Sequence, residues 1–309
     1  MKLLIIALFL FIWSTGFIVG KAIVPYADPT LFLFIRVCIA AVFFLGIALY
    51  SKAQWPAWRE VPKHMLAGVL LQGLYLCGCY WAMAGGLPPA IMALIGSLQP
   101  LLTAFLAIPI LKEIPTRKVW IGLMLGFSGV FLVIQPALGS SSSEGYSMAV
   151  LAIAFMAVLS ITLGTLLQKT SISAVDIRVS AVLQNVGTMM FTGFFVWALG
   201  EDRWVWSPTL WASLLWAAFV MTGIGTVILV WIIRSGQATK AASLMFLAPP
   251  LVAIEAYLLF GDRLQAIQVV GFVVALVGVL ACNVRGPIGR FWRRDRLMAE
   301  SAAEQKRAG

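Results

Sequence analysis

Two charged residues stand inside long apolar stretches of this 309-residue chain: Glu255 within APPLVAIEAYLLF and Arg36 within PTLFLFIRVCIAAVFF. An ionisable group in hydrocarbon costs on the order of 2.5–3.5 kcal/mol on insertion scales, so it faces a bundle interior or a water-filled cavity. At 1.5 Å per residue each lies roughly 8 Å below the end of its helix, which can bring the two to matching depth. Two active chemistries follow. Arg36 and Glu255 could form a buried pair that gates one end of a pathway, or a desolvated Glu255 could exchange protons. The inert alternative is a static carboxylate, with Arg36 snorkelling to the interface.

Uncharged polar residues recur in the same kind of surroundings. Gln72, Tyr75 and Cys79 sit at i, i+3 and i+7 and share one helix face. Thr222 and Thr226 share another at i, i+4, and Gln184 and Asn185 are adjacent in a further apolar run. Gln99 precedes Pro100, and Pro249 is the later counterpart of that proline. Amides and hydroxyls in hydrocarbon seek partners, so each of these side chains either bonds helices together or lines a polar pathway. The two prolines remove backbone hydrogen bonds and are expected to kink their helices or free carbonyls for a ligand. Trp13 and Trp81 lie deep enough to stack on an apolar substrate or to pack.

The elements that must hold these residues follow from composition. With 61% hydrophobic and only 11% charged residues, the chain departs far from the soluble average of about 25% charged. Its solvent is lipid. Apolar runs of about 20 residues are the length of a spanning helix. Cutting the chain at charges, prolines and glycine clusters gives ten, near 3–20, 30–50, 65–85, 89–110, 118–135, 147–167, 179–199, 209–233, 240–260 and 266–284. Short basic loops stay cytoplasmic. An inside N-terminus leaves only Lys21, Arg203 and Arg263 in outside loops, so both termini are expected in the cytoplasm of a bacterial inner membrane. The net charge of +10 is then topogenic, and the basic tail 286–309 is expected to meet anionic lipid rather than nucleic acid.

Several classes drop out. The four cysteines lie in apolar runs without a CxxC spacing or a nearby histidine, so neither a disulfide framework nor a metal site is implied. The lone His64 falls in a predicted loop. Gly16 to Lys21 is one residue short of a phosphate loop and is followed by Ala22 instead of Ser or Thr. No nucleotide, metal or other cofactor is expected, and no loop carries a catalytic constellation.

The halves of the chain echo each other. A shift of 149 residues aligns Ala93 with Ala242, Leu98 with Leu247, Pro100 with Pro249, Gly122 with Gly271 and Gly129 with Gly278, and sets Glu113 on Asp262. Five helices per half make the second copy enter the membrane in the opposite sense, the architecture of secondary transporters with a midplane site. The expected fold is therefore an all-α membrane protein of ten transmembrane helices in two inverted repeats, 1–138 and 147–285, joined by a linker at 139–146. The glycine faces around Gly122, Gly126 and Gly271 are expected to serve packing or dimerisation, leaving monomer and homodimer both open.

Trp13, Ser14, Gly16 and Lys21 in the first helix, Arg36 in the second, and the Pro100 and Glu113 turn with its repeat at Pro249, Gly261 and Asp262 resemble the EamA family of the drug/metabolite transporter superfamily. The resemblance covers residues 1 to about 285. It implies a basket of ten helices that moves amino acids or other small metabolites, often outward. Asp262 stands where the family usually carries Glu. The pathway residues expected on these grounds are Arg36, Gln72, Tyr75, Gln99, Gln184, Asn185, Thr222, Thr226 and Glu255. Proton-coupled efflux of hydrophobic cations, or a membrane sensor or scaffold, are the alternatives.

Overall fold

A bilayer offers no water to backbone N–H and C=O groups, so a spanning segment must satisfy them within itself. The computed structural model describes residues 2–111, 117–139, 147–171, 175–225, 228 and 247–283. All regular structure among them is helical, apart from one isolated bridge between Ala27 and Trp204.

The helices are α1 (Lys2–Ala22), α2 (Pro29–Tyr50), α3 (Val61–Ala84), α4 (Pro89–Gly96), α5 (Gln99–Leu111), α6 (Arg117–Gly139), α7 (Met148–Ser171), α8 (Ile177–Leu199), α9 (Pro208–Ile224), α10 (Ala248–Phe260) and α11 (Ala266–Asn283). Within α1, α2, α3, α7 and α8 lie segments long and apolar enough to cross a membrane, and the others contain shorter apolar helices. Local chemistry sets the ends. Asp176 accepts the backbone N–H of Arg178 at the start of α8, and Ser207 accepts that of Thr209 at the start of α9. Gly200 and Gly261 close α8 and α10 at φ +66° and +72°, where a side chain would be strained.

Three expectations change. His64 is not in a loop: α3 begins at Val61, and His64 is buried in its first turns. Pro100 and Pro249 do not kink continuous helices. The run 89–110 is broken at Ser97 and Leu98, placing Pro100 in the first turn of α5, and Pro249 likewise sits in the first turn of α10, where a missing N–H costs nothing. The linker residues 140–146 and the tail 286–309 lie outside the described residues.

Among the described residues, the most extensive pairing joins α6 to α11, followed by α2 with α8. Each pair links helices that begin 149 or 148 residues apart. Gly129 lies against the backbone of Gly271 and Ala275, and Gly278 against Gly122 and Gly126. Apolar side chains gain nothing by leaving lipid for each other, so association relies on close backbone approach through small residues. The glycine faces are thus used within the chain. In α2 and α8, Phe34 meets Gly193 while Phe44 and Ala48 pack with Val179 and Leu183, so the two helices run antiparallel. Both α3 and α9 contain a widened π-helical stretch, Val69–Leu74 and Trp216–Ile224, again at matching positions of the two halves.

A Cβ added at Gly278 would stand 2.6 Å from the Gly126 backbone nitrogen, whereas one at Gly46 meets nothing within 4 Å. Gly278→Ala is expected to destabilise the chain by about 1–3 kcal/mol through overpacking. Gly46→Ala should stay within about 0.5 kcal/mol, as reversible unfolding in mixed micelles would measure.

Candidate functional site

Between α1, α2, α3, α7, α8 and α9 lies a cavity of about 320 Å³. Its wall is mainly apolar and aromatic, with Phe9, Trp13, Phe17, Leu71, Leu76 and Met221, and carries a few polar groups, as ligand sites do. Six of the expected pathway residues meet there: Arg36, Gln72, Tyr75, Gln184, Asn185 and Thr222. Gln72 and Thr222 come from the widened turns of α3 and α9, and such turns are frequent at functional sites.

Arg36 is only 7% exposed and donates from Nη1 to the Tyr80 hydroxyl at 3.0 Å. Glu255 is not its partner. Instead Ser14 donates to Glu255 Oε1 at 2.7 Å across the α1–α10 interface, and Glu255 Oε2 is buried without a hydrogen bond. The proposed Arg36–Glu255 gate is therefore corrected: α1 and α10 enclose the acid, while α2 and α3 hold the base. Nor is Arg36 snorkelling, since the Tyr80 ring that anchors it is itself 1% exposed.

Ser180, which lines the cavity, has its Oγ 2.9 Å from the His64 ring nitrogen Nδ1, and Gln184 donates to the same hydroxyl. Asn185 donates to the Ala181 carbonyl, and its Oδ1 is buried with no partner. Gln99 stays out of the cavity and bonds α5 to α7 through Thr165 at 3.1 Å. Thr226 lies outside the described residues. Of the two deep tryptophans, Trp13 lines the cavity, and Trp81 donates to Thr30 instead.

Sequence reasoning named Ser14 only for the family resemblance, not as a partner of Glu255, and did not single out Ser180, because a lone serine in an apolar run carries no spacing signal. Tyr80 follows directly on Cys79 of the Gln72 face, but nothing in its spacing links it to Arg36.

The two ends of the cavity differ. At one end the α1–α2 and α8–α9 loops are tied together: Arg203 pairs with Asp28 at 3.1 Å and caps the Val24 carbonyl, and Glu201 accepts from Thr30 and the Leu31 backbone at the start of α2. Lys21 and Asp262 add a 2.6 Å pair, with the ammonium over the Phe260 ring. Beneath them Trp204 stacks on Phe32, which meets Tyr80 edge-on. At the other end the wall reaches the exposed Gln168 and Ile177. The loops 52–56 and 175–176 frame a second, polar recess nearby. There, hydrogen bonds from Arg178 hold the Asp176 carboxyl below the usual carboxylate range.

A helical, multi-pass membrane protein with a closed-ended, mostly apolar central cavity is the class that this arrangement defines. The EamA-like transporter family model matches residues 1–135 and 143–284, and the chain belongs to that family. It is 25% identical over 291 residues to the uncharacterized transporter YvbV of Bacillus subtilis (strain 168), covering 91% of each chain. The S-adenosylmethionine/S-adenosylhomocysteine transporter of Chlamydia muridarum is 26% identical over 213 residues, 67% of this chain and 66% of that one. A solved crystal structure superposes with a TM-score of 0.63 at 16% identity, covering 92% of this chain and 98% of its own, and so shares the fold.

In a variant with its cysteines replaced, Gln168→Cys is expected to react readily with a bulky polar maleimide from the end bearing Lys52. Met83→Cys, which lines the cavity beneath the closed end, should be protected from the closed side and react more slowly than Gln168→Cys from the open one. Arg203→Ala should raise labelling of Met83→Cys from its own side only in part, because partly exposed ion pairs contribute only about 0–1 kcal/mol each and the closure rests on several.

Proposed function

We propose that the chain is a secondary transporter that moves small amphipathic metabolites by alternating access, the central cavity being its substrate site. The observation that carries this reading is the cavity itself, open at one end and shut at the other by weak polar contacts. The charge pattern of the loops puts the closed end, with Lys21, Arg203 and Arg263, outside. On that reading the conformation faces the cytoplasm of the bacterial inner membrane, where both termini also lie.

Two inverted repeats of five spans each, α1 to α6 with α4 and α5 sharing one span, and α7 to α11, underlie the mechanism. In support stand the two family matches, one per half, the pairing of α2 with α8 and α6 with α11, and the matched widened turns. A near-symmetric pair of halves can exchange conformations and move the open end to the other face. Amino acids are the substrates that the family resemblance puts first. Efflux of hydrophobic cations is less well supported, since no Asp or Glu is among the described residues lining the cavity.

Glu255 gives the transporter a second device. A buried carboxyl with one oxygen on Ser14 and one unpartnered is a candidate proton carrier between α1 and α10, apart from the substrate cavity.

Counterflow of labelled amino acids in proteoliposomes, run with and without a pH gradient, tests both statements. Counterflow of at least one is expected, and none for any amino acid would remove them as the substrate class. Glu255→Gln should retain counterflow while losing uphill movement driven by the gradient; unchanged coupling in that variant would make Glu255 structural.

A further inference from the structure

The electrostatics of the cavity carry a statement about the substrate's charge. Arg36 is the one charged side chain among the described residues that line it. Its recorded hydrogen bond goes to a neutral phenol, and no carboxylate among the described residues lies within ion-pair distance of it. A guanidinium in such a place leaves donors for a planar, negatively charged acceptor, which it can bind with two parallel hydrogen bonds. Around it the wall is aromatic: Phe9, Trp13, Phe17, Tyr75 and Tyr80.

We propose that Arg36 is the specificity residue of the cavity and that the preferred substrate is a small monoanionic carboxylate with an apolar or aromatic body. This deepens the transporter reading and rests on it. A second negative charge would have no second cation to meet. A cation would lie beside Arg36 with no carboxylate to offset the repulsion. The zwitterion is intermediate. Its α-ammonium sits beside its carboxylate, and the unpartnered acceptor Asn185 Oδ1 is too far away to receive it. Phe34 meets Gly193 in the antiparallel α2–α8 pair, which sets Arg36 level with residue 191, and a rise of 1.5 Å per residue then puts Asn185 about 9 Å further along. The inference ranks an amino acid below the corresponding acid without the amine.

Three compounds with one body separate the charges: 3-phenylpropionate, phenylalanine and 2-phenylethylamine. Calorimetric titration of the full chain in nanodiscs is expected to rank them in that order. The acid should bind on the order of tenfold or more above the amine, the scale of one charge-assisted hydrogen bond. Arg36→Gln should erase the ranking, Arg36→Lys should keep part of it, and Tyr80→Phe, which removes the hydrogen bond that orients the guanidinium, should weaken it. The wild-type ranking decides the matter even if a variant fails to fold. Equal or tighter binding of the amine, no binding of any of the three, or an unchanged ranking in a folded Arg36→Gln chain would overturn the proposal. Counterflow of the same compounds separates the two readings. Movement with the amine preferred would leave a transporter with the wrong charge assigned, whereas ranked binding without movement would leave the site and remove transport.

Discussion

A polar group in hydrocarbon must find its partner inside the protein, and the rest of this structure answers to that constraint. Backbone groups are satisfied within helices, so the described residues contain no sheet. Side-chain hydroxyls turn back to carbonyls one turn earlier, as Thr162, Thr188 and Thr192 do, at little cost to the helix. Longer polar groups are not fully satisfied in this way: Asn185 donates to the Ala181 carbonyl, yet its Oδ1 stays without a partner. They gather where helices meet, Ser14 with Glu255 and His64 with Ser180 and Gln184, or they border the cavity, as Arg36 and Gln72 do.

Because burying apolar surface gains nothing in lipid, helix pairs must earn their contact through shape. Glycines at the α6–α11 seam bring backbone to backbone, and Gly68 and Gly187 do the same between α3 and α8, where a Cβ would strike Gln184 or Met65. These seams are rigid. The closed end of the cavity is built differently, from partly exposed ion pairs, a single bridge and stacked rings. On the transporter reading proposed above, rigid seams beside a weakly held closure would let one end open without unpacking the bundle.

The division of labour between the two charges in the apolar helices follows from helix neighbours. Arg36 on α2 faces α3 and the cavity, while Glu255 on α10 faces α1 and the interior of the bundle. Separated in this way, each is left to the separate part proposed for it, the base toward a substrate and the acid toward a proton. A direct pair would have neutralised both.

Much was fixed by sequence alone because it depends on spacing along one helix or on composition. The apolar runs, the helical class and the shared face of Gln72, Tyr75 and Cys79 are all local properties, and composition and 3.6-residue periodicity transmit them directly. Which helices pair is not local. Arg36 and Glu255 matched in depth, yet depth does not say which helix stands opposite, so their partnership was misread. Gln99 had the same composition cue as Gln184, but one bonds α5 to α7 and the other reaches the cavity. Likewise Pro100 marks a break in any reading, and only the turn at Ser97 made it a helix start instead of a kink. Tertiary structure decided these points because a polar side chain in lipid is assigned its role by the surface across from it, and that surface comes from another part of the chain.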